Sequence, residues 1–211
     1  MTRFDWVPYS AAALVLGATA LSVGALILPT GDEATTTLRM AESEGGRWLA
    51  VSVLYFLAAV MLTLGMPSIL TLFQVRTTKF GLTAIGVFTI GCVGLSGFAM
   101  LLVFFRALAV NDAIQAGALE QASSELGLSV FLFGWIGAFY LGEVLLAIAL
   151  LRAGSTPRWI PGMLLLHVAL APVQSFLPDR VESMTALLIT VALCGVGITA
   201  NQNATKVAAA V

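Results

Sequence analysis

Residues 127–151 read GLSVFLFGWIGAFYLGEVLLAIALL, with Glu143 as the one charged side chain. At a helical rise of about 1.5 Å per residue the stretch exceeds the ~30 Å hydrocarbon core of a bilayer. A helix apolar on every face belongs either to the interior of a large protein or to a membrane. The chain has 211 residues, 59% hydrophobic and 10% charged, with a mean hydropathy of +0.99. Soluble domains average about 45–50% apolar and about 25% charged, so the membrane is the consistent choice.

Working outward, five more stretches reach or approach spanning length: 7–29, 48–73, 80–109, 158–178 and 184–200. With 127–151 they predict an all-α integral membrane protein, a six-transmembrane-helix bundle forming one membrane domain over residues 1–211. The first stretch reads as a retained signal-anchor helix, because its apolar run is longer than the ~7–15 residues of a cleaved signal. No Ala-x-Ala site stands directly before Gly31-Asp32-Glu33 either. Two connections have length: a polar one at 30–47, and 110–126, whose good helix formers predict a continuation of the third span or a short surface helix.

Charge sets the expected orientation. One set of loops and flanks carries Arg3, Arg76, Lys79, Arg152, Arg158 and Lys206 against Asp5 alone. The other set carries Arg39, Arg47, Arg106 and Arg180 among Asp32, Glu33, Glu42, Glu44, Asp112, Glu120, Glu125, Asp179 and Glu182. Lys and Arg are retained on the cytoplasmic side, so both termini are expected there, in a plasma membrane. Trp6, Tyr9 and Trp159 fall at the inner boundaries and Trp48, Phe104, Phe105 and Phe131 at the outer ones, as aromatic belts require.

The same inventory excludes several functions. A net charge of −1 offers no basic surface to nucleic acid. Cys92, Cys194 and the single histidine, His167, lie in apolar runs, so neither a disulfide framework nor a metal cluster is expected. Lys79 and Lys206 lie outside the spans, which removes a retinal Schiff base, and no Gly-rich phosphate loop occurs. No cofactor is expected.

Small residues recur at Ala13, Gly17, Ala20 and Gly24, at Gly86, Gly91, Gly94 and Gly97, and at Gly134, Gly137 and Gly142, where helix backbones can approach closely. Pro67 and Pro172 each remove a backbone bond and are expected to kink the second and fifth spans, freeing the carbonyls of Thr63 and Val168. Corresponding interruptions in equivalent helices would fit a 3+3 inverted repeat of the transporter kind; two ordinary membrane prolines would look the same.

Glu143 is the strongest chemical signal, since a carboxylate at mid-bilayer costs about 2.5 kcal/mol or more. Eight residues from Leu151, it lies about 12 Å deep, and His167, nine from Arg158, about 13.5 Å. The short turn around Gly154 and Ser155 makes these spans adjacent and antiparallel, so a Glu143–His167 hydrogen bond is expected, with Tyr140 and Gln174 on the same interior stripe.

Gly94-Leu95-Ser96-Gly97 resembles the Gly-x-Ser-Gly motif of rhomboid intramembrane proteases. That family places its serine and histidine on the fourth and sixth core helices, whereas here they fall on the third and fifth, and the His-x-x-x-Asn element is absent. Over most of its length the chain resembles a bacterial family of six-helix integral membrane proteins of unknown function. The likeness rests on the polar loop after the first span, Gly65-Met66-Pro67 before a short basic turn, and Thr156-Pro157-Arg158-Trp159 opening the fifth. In that turn Thr156 is expected to cap the helix, Pro157 to occupy its first position and Arg158-Trp159 to anchor at the headgroups. The resemblance implies a bacterial plasma membrane and no particular activity.

Three functions remain, all with the lipid bilayer as partner. A transport or binding protein, taking a small molecule or lipid at the polar centre, requires a cavity reaching Glu143. An accessory subunit, or a homo-oligomer, requires a dry bundle with an exposed small-residue groove. An intramembrane enzyme requires a second catalytic group within about 3 Å of the first.

Overall fold

Hydrocarbon offers backbone amides no water, and the chain meets that constraint with helices. The computed structural model describes residues 6–29, 34–73, 77–176 and 179–209, without the side chains of 34–35, 174–176, 179–183 and 207–209. Within these lie α1 (Val7–Ile27), α2 (Ala34–Ser43), α3 (Gly45–Leu70), α4 (Thr78–Val110), α5 (Ala116–Ser123), α6 (Leu126–Ala153), α7 (Trp159–Leu170), a 3₁₀ segment (Ala171–Phe176) and α8 (Asp179–Ala209). Helices α1, α3, α4 and α6, and α8 over Met184–Lys206, are long and apolar enough to cross a membrane, and a shorter apolar helix covers Trp159–Val173. This is a multi-pass helical membrane protein, with no strand among the described residues.

The helices close a ring. Helix α1 packs on α3 and α8, α3 on α4, α4 on α6, α6 on α7, and α7 on α8. Gly154 ends α6 with φ 62°, a left-handed cap whose N–H donates to the Leu150 carbonyl at 3.0 Å, and so turns the chain directly into α7. Between α1 and α8, the Thr190 hydroxyl lies 2.8 Å from the Ala18 carbonyl and the Ser22 hydroxyl 2.7 Å from that of Ala186, and the two hydroxyls also contact each other, so two protons serve three contacts.

Two seams are built on glycine. A Cβ on Gly65 would stand 2.7 Å from the Leu14 backbone, and one on Gly91 2.5 Å from Phe139 Cα, so α1/α3 and α4/α6 approach as only glycine allows. The small residues do not all serve this purpose: Gly86, Gly97, Gly134 and Gly137 have nothing within 4 Å of a Cβ.

The prolines act differently from one another. Pro67 stays inside α3, and the Ser10 hydroxyl of α1 inserts beside it, accepting the Ser68 N–H at 3.1 Å and donating to the Leu64 carbonyl at 2.8 Å. Pro172 ends an α-helix instead of bending it. Helix α7 stops at Leu170, the Ala171 N–H donates to the Val168 carbonyl that Pro172 cannot serve, and the backbone continues as 3₁₀. The expected continuous helix over 158–178 is corrected accordingly.

Other local expectations are also corrected. The connection 30–47 contains α2 and the start of α3, which begins at Gly45. Trp48, placed by sequence in a lipid-facing belt, is 4% exposed: its indole N–H needs an acceptor in an apolar setting and finds the Leu102 carbonyl at 2.9 Å. Thr156 does not cap α7, whose N-cap is Arg158 without a side-chain bond; with the helix starting two residues later than a Thr156 cap requires, its hydroxyl is buried without a partner among the described residues.

Candidate functional site

Glu143 sits on α6 and His167 on α7, two helices held antiparallel by the Gly154 turn. His167 Nδ1 lies 2.9 Å from Glu143 Oε2 and 3.0 Å from Oε1. Glu143 is 0% exposed and His167 6%, so the bond is sealed from its surroundings on the carboxyl side. Tyr140, one helical turn before Glu143, sets its ring 5.7 Å from the imidazole at 36°. Gln174 lies in the 3₁₀ segment, and its side chain falls outside the described residues.

His167 borders a cavity of about 230 Å³ at the centre of the ring, and every apolar helix of the ring contributes to its wall. Leu21 comes from α1, Tyr55 from α3, Phe98 from α4, Trp135 from α6, His167 from α7 and Ile189 from α8. Glu143 does not line it, so the carboxyl acts on the cavity only through the imidazole. Much of the wall is aromatic: the Tyr55 and Phe98 rings are 6.1 Å apart and those of Phe98 and Trp135 5.8 Å. No Asp, Glu, Lys or Arg lines the cavity among the described residues.

One donor stands out. The Trp135 indole Nε1 is buried and has no hydrogen-bond partner among the described residues. Sequence reasoning passed over Trp135, although a usable signal was present: Trp135, Phe139 and Glu143 follow at i, i+4 and i+8 and form one stripe of α6. Tyr55 and Phe98 carried no such signal, because their convergence depends on how α3 and α4 are rotated within the ring.

The arrangement can hold a shared proton between imidazole and carboxyl and present the far edge of the imidazole to a guest. It does not assemble a serine hydrolase. The Ser96 hydroxyl donates to its own helix at the Val93 carbonyl, 2.6 Å away, and borders a groove with Phe56 and Thr63 between α3 and α4. No group of three potential metal-binding side chains occurs among the described residues. Comparison with family models, with curated proteins and with solved structures finds no match to this chain.

Proposed function

We propose that the protein is a six-span bundle of the plasma membrane, with both termini cytoplasmic, that binds or transports a small lipophilic molecule in its central cavity. The sixth crossing in this reading is α7 with its 3₁₀ continuation. Twelve α residues at about 1.5 Å and six 3₁₀ residues at about 2.0 Å give about 30 Å, the thickness of the hydrocarbon core. A 3+3 repeat would equate α3 with α7, the two helices that proline interrupts. The different work of Pro67 and Pro172 gives that repeat little support.

The observation that carries the functional reading is the cavity. It draws its wall from all six helices and ends on His167, which a fully buried carboxyl holds in place. An apolar pocket with a few convergent polar groups is the usual form of a small-molecule site. Native mass spectrometry of protein gently extracted from its own membrane tests it. A small molecule retained by the wild type and lost in Glu143→Gln is expected.

A second reading rests on its own observation. Gly86 and Gly97 of α4 and Gly134 and Gly137 of α6 are exposed and open to close approach by another helix, as an accessory subunit or a homo-oligomer would use them. A stoichiometric protein partner, with no retained small molecule, would favour that role and reduce the Glu143–His167 pair to a helix tie.

A further inference from the structure

We propose that the wedge between α4 and α6, at the end of the bundle that carries α2 and α5, binds one acyl chain of a bilayer lipid. The site is separate from the central cavity and does not depend on it.

The wedge follows from where glycine occurs along one seam. Gly142 abuts the Phe88 backbone, Gly91 the Phe139 backbone and Gly94 the Trp135 side chain, so α4 and α6 are in close contact from Phe88 to Gly94. Those pairs run in opposite directions along the two helices, and continuing the seam sets the last turns of α4 against the first turns of α6. There Leu101 and Phe105 stand opposite Leu128 and Leu132, and large side chains in place of glycine keep the backbones apart. The space between them measures about 620 Å³. Trp48 of α3 closes its rear, and Leu119 and Ala122 of α5 form its roof. No residue of α5 is buried, so the roof rests over a space that no described side chain fills.

The wall decides the chemistry of the guest. It is apolar apart from Thr37, Ser123 and Ser129, and no Asp, Glu, Lys or Arg lines it among the described residues. The Ser123 hydroxyl donates to the Glu120 carbonyl at 2.8 Å and that of Ser129 to the Ser123 carbonyl at 3.3 Å. An apolar space of this kind does not hold water, and left empty its lining forfeits dispersion contacts. Phe104 and Phe133 both line it and are exposed, so it opens sideways between α4 and α6 to the surrounding hydrocarbon.

Size and the roof select among apolar occupants. From Leu101 to Leu108 the wedge runs about 10 Å along α4, about two-thirds of the depth of one leaflet. A helix 10–12 Å across would displace at least about 800 Å³ over that length, more than the wedge holds, and α5 blocks its continuation. A methylene chain is far narrower and can end beneath α5 with its headgroup outside. Without charges in the wall, the site recognises the chain and not the headgroup.

The whole purified chain, stripped of lipid in detergent, is offered dioleoylphosphatidylcholine, dioleoylphosphatidylglycerol or dihexanoylphosphatidylcholine, and native mass spectrometry counts what each protein retains. One dioleoyl lipid per chain is expected, equally for both headgroups, with the dihexanoyl lipid held at least about tenfold more weakly because its shorter chains bury fewer methylenes. Ser129→Phe fills the wedge from α6 and is expected to lower dioleoyl retention about tenfold. Ala122→Phe, at an exposed position of the roof, fills it without touching the bundle, and the wild-type comparison of chain lengths needs no variant at all. Glu143→Gln, which alters the other cavity, is expected to leave this lipid in place. Retention that depends on the headgroup, or a broad ladder of lipid counts indifferent to chain length and to both filling variants, overturns the inference. A lipid-free dimer overturns it in favour of a second copy on this face. A lipid lost in Glu143→Gln and kept in both filling variants belongs to the central cavity, which overturns this inference and supports the proposed function.

Discussion

Replacing the polar pair by an apolar one separates stability from function. In Glu143→Leu the imidazole Nδ1 loses both oxygens, at 2.9 and 3.0 Å, in a place where His167 is 6% exposed. Stranding a buried polar group costs about 1–3 kcal/mol, and His167→Phe strands the Glu143 carboxyl in the same way. Each single variant should therefore lose about 2 kcal/mol, or about 4–8 °C in a chain of this size. The double variant leaves no orphan and fills the space with apolar side chains, so it should recover to within about 1 kcal/mol of wild type. Thermal unfolding in detergent, followed by circular dichroism, measures all four proteins, and native mass spectrometry then asks whether the stable double variant retains its ligand. Loss of the ligand is expected. Additive losses in the double variant would refute the coupling read from the geometry, and a stable double variant that keeps its ligand would refute a functional role for the pair.

Ser10→Ala removes the acceptor of the Ser68 N–H beside Pro67 and should cost about 1–2 kcal/mol; in a Pro67→Ala background the helix can bond internally, and most of that loss should vanish in a double-mutant cycle of melting midpoints. Gly65→Ala places a Cβ 2.7 Å from the Leu14 backbone and should destabilise by about 1–3 kcal/mol, whereas Gly97→Ala, with nothing within 4 Å, should lie within about 0.5 kcal/mol of wild type in the same assay. At the start of α6, backbone N–H groups of Gly127 and Leu128 hold the Glu125 carboxyl below the usual carboxylate range. The folded state thus binds that proton less readily than the unfolded one, and the cap's contribution is present above the ordinary carboxylate range and lost as pH falls through the lowered value. Amide exchange of Leu128, followed from about pH 6 to about pH 3, should lose its protection on acidification in the wild type relative to Glu125→Ala; parallel profiles would contradict the cap.

What the sequence made legible were features that depend on one dimension. Apolar length locates the crossings, and depth counted from the two ends of a short turn puts Glu143 opposite His167, because a helix converts residue number into distance. Features that depend on rotation about a helix axis were not legible. Gly91 faces Phe139 and Gly97 faces open space, although both belong to one glycine-rich run. Trp48 and Trp159 both sit near helix starts, yet the first turns inward to Leu102 and the second is 48% exposed. The role of Pro172 was hidden for another reason. A proline within an apolar run can bend a helix or end it: α3 continues past Pro67, where the Ser10 hydroxyl engages the neighbouring Ser68 N–H and Leu64 carbonyl, whereas α7 ends before Pro172.

The energetics of the pair argue for the cavity as its purpose. A carboxyl at mid-bilayer costs about 2.5 kcal/mol or more, whereas a polar bond between membrane helices returns about 0.6 kcal/mol on average. Elsewhere the ring joins its helices with cheaper devices: the glycine seams at Gly65 and Gly91, and the Ser22–Thr190 hydroxyls between α1 and α8. Helices α6 and α7 are already held by the short Gly154 turn and need no ionisable group to find each other. A glutamate placed there is poor value as an adhesive, but through its two contacts with Nδ1 it fixes the orientation of the His167 ring. That orientation matters only if something stands on the far side of the ring, and on that side the structure has a cavity walled by all six helices.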